Sequence, residues 1–197
     1  MTELTIEGLI LSVGYFAVFA CMFANGMSGL PSSPFVYVTA GLLVVAGKID
    51  WLPTVLLGTL GNVIGNIALY EVTRQKGLRW LLKEGGYFQR YSTTITRIQK
   101  AFELKGTKIV IIGKFVPMVK VIVPIVAGVA KMNRPVFITA VSVTSLVWAA
   151  ASVGYGYYFG EMAKSGDMTW LAGITLLSIP LVMWWFFRHI KTIPVEG

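Results

Sequence analysis

Two lysines, Lys114 and Lys120, lie inside the apolar run from Ile109 to Ala130. An ionisable group at such a place is costly and usually has a task. The run also carries Gly113, Pro117, Pro124 and Gly128. Proline interrupts a helix and frees backbone groups. A broken helix can turn its unpaired N–H groups and the positive end of its dipole towards an anion. Two ammonium groups beside such a helix end, with Gly113 and Pro117 shaping the backbone, make a site suited to a phosphate. Lysine is a point charge without the fork of arginine, so the expected geometric selectivity is low. The bland alternative is that the lysines snorkel to the interface and meet headgroups non-specifically.

A second polar group precedes it. Asn25-Gly26-Met27-Ser28-Gly29-Leu30-Pro31-Ser32-Ser33-Pro34 is rich in helix breakers and small polar side chains. Asn25, Ser32 and Ser33 could meet a headgroup from the other side, or cap broken helix ends. Asn62 and Asn66 are one turn apart and share a helix face, which should turn inward. Gly58, Gly61 and Gly65 between them predict close helix packing. Glu71 is expected to pair with Arg74.

Enzyme signatures are missing. The sole histidine, His189, stands in the basic tail, and the sole cysteine, Cys21, in an apolar run. No Cys–His cluster, HExxH or phosphate-binding glycine loop occurs, so no metal, cofactor or catalytic chemistry is expected. Nucleic acid is an unpromising partner, because no basic face with stacking aromatics stands apart from the membrane pattern.

The elements that must position these residues are membrane helices. The chain has 197 residues, 55% hydrophobic and 13% charged, with mean hydropathy +0.71, whereas soluble domains carry about 25% charged residues. Apolar runs at about 5–23, 51–72, 135–160 and 170–187 are long enough to cross a ~30 Å hydrocarbon core. The first is preceded by Glu3 and Glu7 and no basic residue, which argues for a retained span over a signal peptide. Between the spans, residues 25–47 and 109–131 are short, apolar and broken. Broken backbone cannot face lipid, so both are expected to be re-entrant hairpins. Residues 74–108 hold nine Lys and Arg among aromatic and aliphatic side chains, which predicts amphipathic surface helices on the cytoplasmic side. The net charge of +8 then reads as positive-inside loops. The expected fold is an all-α integral membrane protein, a single transmembrane domain over 1–197. Two opposed hairpins form an inverted repeat, with the C-terminus cytoplasmic. In transporters such repeats place the substrate where the broken segments meet.

These residues resemble the DedA family, also called the VTT or SNARE-associated family. Pro31-Ser32-Ser33 with Ala40-Gly41 is similar to its first hairpin, and Gly61, Gly65, Asn66, Tyr70 and Gly77 to its second segment. Gly113-Lys114-Phe115-Val116-Pro117-Met118-Val119-Lys120 resembles its Gly-Arg-Phe-x-Pro-x-x-Arg signature. Ala127-Gly128, Met132, Phe137, Trp148, Gly154 and Gly160 continue it, so the likeness spans roughly 20–160. The resemblance implies opposed hairpins in a plasma (inner) membrane and translocation of lipid phosphates, undecaprenyl phosphate or phospholipids. It places Lys114 and Lys120 at two arginine positions. Ala24, Ser33 and Asn66 stand where the family often has acids that couple transport to protons, which removes the basis for such coupling here.

The expected function is therefore a lipid-phosphate flippase or scramblase. Its substrate-binding set is Lys114, Lys120, Ser32, Ser33, Asn25, Asn66, Gly113 and Pro117, and its partners are the headgroup and membrane lipids. The alternatives are a small-anion or ion transporter using the same site and a non-transporting assembly factor. The lipid's identity, the direction of movement and homo-oligomerisation stay open.

Overall fold

The computed structural model describes residues 7–84 and 119–165, with side chains over 13–77 and 120–165. The described residues are helical throughout their regular elements. They form α1 (Glu7–Ser28), α2 (Ser33–Val45), α3 (Trp51–Glu84), α4 (Val119–Val129) and α5 (Arg134–Ser165). Lys114, Gly113, Pro117 and most of the expected surface helices of 74–108 lie outside the described residues, as does the expected last span. Residues up to Tyr157 make one compact unit. Of the second, from Tyr158, the last turns of α5 are described, with Lys164 and Glu161 3.5 Å apart.

Two helices are long and apolar enough to cross a membrane, Trp51–Gly77 and Arg134–Ser165. At 1.5 Å per residue the first is about 40 Å long, more than a hydrocarbon core needs. Its outward face carries Leu52, Leu56, Leu60 and Ile64, all exposed at a spacing of four. Its inward face buries Thr54, Asn62, Asn66 and Thr73. A helix that shows leucine outward and amides inward is matched to lipid rather than water. Phe16 and Phe35 are likewise exposed, at 70% and 72%. Helix α3 continues five residues beyond the expected end at Val72 before it breaks at Gly77, whose φ of 75° and ψ of 175° suit glycine.

The first break is narrower than the sequence suggests. Asn25 to Ser28 still belong to α1, and the non-helical backbone is confined to Gly29–Ser32, with a cis Leu30–Pro31 peptide. Helix α2 then starts with Pro34 in its first turn, where the missing N–H costs nothing.

Both short helices end alike. After α2, the N–H groups of Gly47 and Lys48 donate to the carbonyls of Val44 (2.9 Å) and Leu43 (3.0 Å). After α4, those of Lys131 and Met132 donate to Gly128 (2.9 Å) and Ala127 (3.0 Å). Both are Schellman stops with a left-handed residue, Gly47 at φ 66° and Lys131 at φ 52°. Each stop leads into a long helix whose first turn is closed by the residue before it, Thr54 N–H to Asp50 and Phe137 N–H to Asn133.

The packing is reciprocal. A Cβ at Gly41 of α2 would overlap the Val153 carbonyl oxygen and the Tyr157 amide of α5. A Cβ at Gly128 of α4 would overlap the Tyr70 carbonyl oxygen and the Arg74 amide of α3. Gly41 and Gly128 each follow an alanine and lie 87 positions apart, while Tyr70/Arg74 and Val153/Tyr157 lie 83 apart. The four-residue difference is taken up by the longer α2 and its loop. Each short helix thus lies, through an Ala-Gly pair, on the matching turn of the other long helix. Helices α1 and α3 approach as closely, at Gly26, Gly61 and Gly65.

Lys131 holds a conformation that costs an L-residue about 1–2 kcal/mol. Lys131→Gly should therefore raise stability to thermal unfolding in detergent by roughly 1 kcal/mol. Gly128→Val should lower it by about 1–3 kcal/mol or more, because the obstructing atoms are the Thr73 hydroxyl and the backbone of Tyr70 and Arg74.

Candidate functional site

Where the helices meet, a cavity of about 30 Å3 is lined by Asn25, Ser33, Tyr37, Asn62, Asn66, Lys120, Thr144 and Ser145, with Met22, Val121 and Trp148 as its apolar walls. Every described helix contributes to it. Its neighbours are two apolar clusters, one around Tyr70, Ile125 and Phe137 and one around Met22, Tyr37 and Val153.

The amides form a connected set. Asn62 donates to Asn25 Oδ1 at 3.1 Å, and its own Oδ1 accepts from Asn66 (3.1 Å) and from Ser145 Oγ (2.9 Å). Asn66 donates again to the Asn62 carbonyl at 2.6 Å. Asn25 uses its amide nitrogen on the helix break, donating to the carbonyls of Gly29 (3.0 Å) and Pro31 (2.6 Å). Asn25 therefore braces the break and lines the cavity at once. The buried amides satisfy one another, as low-dielectric surroundings demand.

Lys120 points its ammonium at the opposite short helix and donates to Ser33 Oγ at 2.8 Å. Ser33 is buried in the first turn of α2. Both ion pairs of the described residues lie elsewhere, Arg134–Glu71 and Lys164–Glu161, and none of the described lining residues is acidic. Tyr37, one turn along α2 from Ser33, is 1% exposed, and its hydroxyl has no hydrogen-bond partner. Gly58 of α3 makes room for that ring. The cavity is consequently rich in donors and carries positive charge.

Two of its contacts join matching positions. Ser33 and Lys120 are 87 residues apart, the spacing of the two Ala-Gly pairs. Asn62 and Ser145 are 83 apart, the spacing of the long helices.

Of the expected site residues, Lys120, Ser33, Asn25 and Asn66 come together here. Ser32 is exposed and lies outside the cavity. Tyr37, Thr144, Ser145 and Trp148 were not anticipated. The spacing of four between Ser33 and Tyr37 could have indicated the tyrosine.

Near the start of α5 the expected Glu71–Arg74 pair is not formed. Glu71 instead pairs with Arg134, at 2.7 Å. Arg74 donates to Tyr70 Oη and to the Met132 carbonyl, and Tyr70 donates to the same carbonyl. The reason is local: Met132, just past the Schellman stop, presents a carbonyl the helix cannot use, and a guanidinium satisfies it. Tyr70 also stacks on Phe137, with centroids 4.3 Å apart. The matching positions at the other end, Ile49, Trp51, Val153, Gly154 and Tyr157, hold no charged group. The clasp is thus built at one end.

A family model described as the VTT domain matches residues 30–158. Similar proteins include undecaprenyl phosphate transporter A of Staphylococcus aureus, 24% identical over 95% of this chain and 96% of that one. Another protein of that name, from Bacillus subtilis, is 25% identical over 81% and 82%. An alkaline phosphatase-like protein of Lactococcus lactis is 26% identical over 82% and 77%. No solved structure matches.

Asn62→Ala would strand the Asn25 oxygen, an Asn66 donor and the Ser145 hydroxyl, and each buried unsatisfied group costs about 1–3 kcal/mol. Thermal unfolding should register a loss of several kcal/mol for Asn62→Ala and a much smaller one for Ser145→Ala.

Proposed function

Because the chain belongs to the VTT-domain, or DedA, family of membrane proteins, we propose that it is a transporter that moves lipid phosphates across the bilayer. The headgroup passes through the Lys120 cavity. The observation that carries this reading is the buried, donor-rich cavity with an ammonium and no described acid, at the contact between the short helices. The names of the relatives, undecaprenyl phosphate transporter A, support the same substrate class.

The reading includes the inverted repeat. Residues 25–47 and 109–131 form opposed re-entrant hairpins, and the cavity lies on the axis that relates them. The reciprocal Gly41 and Gly128 contacts, the paired Schellman stops and the two bonds between matching residues support it. The chain lies in the plasma (inner) membrane, and the clasp of Arg74 and Arg134 marks its cytoplasmic side, by the positive-inside rule. The C-terminus is on that side too.

The work asked of the protein is electrostatic. A lipid phosphate cannot cross hydrocarbon with its charge uncompensated. Lys120, joined by Lys114, neutralises the headgroup at depth. Ser33, Tyr37 and the first turn of α2 supply hydrogen bonds, and the acyl chains stay in lipid beside the apolar outer faces. No covalent step is needed, so the protein acts as a transporter and not as an enzyme. Admission of the headgroup parts α2 from α4 at the Lys120–Ser33 contact. The Gly41 and Gly128 contacts are the surfaces on which each slides.

In proteoliposomes, Lys120→Ala should reduce translocation of undecaprenyl phosphate at least tenfold while the protein remains folded. Ser33→Lys combined with Lys120→Ser should restore much of it, because the charge returns to the same place from the opposite helix. Wild-type rates in Lys120→Ala would remove the site from the mechanism. Failure of the exchanged pair alone would argue against the two-fold relation.

A further inference from the structure

The cavity proposed to pass the headgroup already contains a charge at rest. A single water needs about 10–15 Å3 of such space, so about 30 Å3 accommodates one halide-sized ion or two waters. The groups around that space select between these. Lys120 spends one N–H on Ser33 and keeps two. The Ser33 oxygen accepts that bond, leaving its proton to donate onward. The Tyr37 hydroxyl is fully buried without a partner. The Asn25 and Asn62 oxygens are already occupied by amide and hydroxyl donors. Of the described acids, Asp50 precedes α3 and is engaged by Tyr15, and Glu71 lies on α3 and is paired with Arg134. An ammonium drawn out of water without a counter-charge is costly, and among the described residues no carboxylate lines the cavity that Lys120, Ser33 and Tyr37 share.

We propose that the cavity between Lys120, Ser33 and Tyr37 binds a small monovalent anion of halide size, with chloride the abundant choice, as the resting counter-ion that an arriving lipid phosphate displaces. The inference rests on the reading of Lys120 as the headgroup site. It adds that the site is never without an anion: transport is an exchange of one anion for another, and the charge of Lys120 stays answered throughout. Ser33 and Tyr37, one turn apart on α2, hold the small ion from one side and Lys120 holds it from the other. Opening of the short helices would enlarge the same space for the phosphate.

The test uses the full-length protein purified in detergent and follows thermal unfolding in sodium chloride against sodium gluconate at equal ionic strength. Gluconate is too bulky for the cavity. A ligand that binds only the folded state raises stability by mass action, so chloride should raise the unfolding temperature in a saturable way. Lys120→Met should abolish that increment, and Lys131→Ala, at the exposed end of α4, should keep it. Tyr37→Phe should raise the half-saturating chloride concentration about tenfold, and it carries the test if Lys120→Met does not fold. Equal unfolding in the two salts, or a chloride increment that survives in Lys120→Met, would overturn the proposal and leave water as the occupant. Translocation measured on the same preparation separates the two readings. Lipid transport without any chloride effect removes only the counter-ion, whereas a chloride effect without lipid transport removes the lipid substrate and keeps the anion site.

Discussion

A positive charge held inside a protein whose outer faces are apolar has to be answered from within. That constraint organises this molecule. Lys120 is half-buried behind the exposed leucine and phenylalanine faces, and serine, tyrosine and asparagine side chains line the cavity it shares. Those polar groups must in turn be satisfied, which draws α1, α3 and α5 together through the Asn25–Asn62–Asn66–Ser145 bonds. Such bonds need helices that approach at backbone distance, which explains why Gly26, Gly61 and Gly65 stand beside the amides. The polar centre and the glycine seams are two consequences of one requirement.

The same constraint couples fold to function. Helix α2 is held to α4 by a single charged contact and to α5 by a glycine seam, and α4 stands on α3 in the matching way. The two ends are closed by different groups, Arg74, Tyr70 and Met132 at one and Tyr15 with Asp50 at the other.

Much of this was legible in the residues. Lysines within an apolar run, the inward face of Asn62 and Asn66, and the close-packing glycines follow from periodicity and the cost of burying charge. The family resemblance rests on the ordered motifs between Pro31 and Gly160, and the VTT-domain match to 30–158 bears it out. What could not be read was partner choice across the fold. Glu71 lies three residues from Arg74, and nothing local reveals that a spare carbonyl at Met132 claims the guanidinium first. Ser32 and Ser33 look equivalent in sequence, but one turn of helix sends only Ser33 inward. The relation proposed between the halves was nearly invisible in the residues, because it pairs Ser33 with Lys120 and Asn62 with Ser145, which differ in type. The Ala-Gly pairs do repeat in kind, at contacts with backbone that a Cβ would close.

The most direct measurement is photocrosslinking with a lipid phosphate that carries its photoreactive group beside the headgroup, in membranes, followed by mass spectrometry of the labelled peptides. The account predicts label on the facing sides of α2 and α4, around Ser33, Tyr37 and Lys120, and its loss when unlabelled lipid phosphate competes. Label confined to the exposed leucine and phenylalanine faces, unaffected by competitor, would mean that the headgroup never enters the cavity and would contradict it.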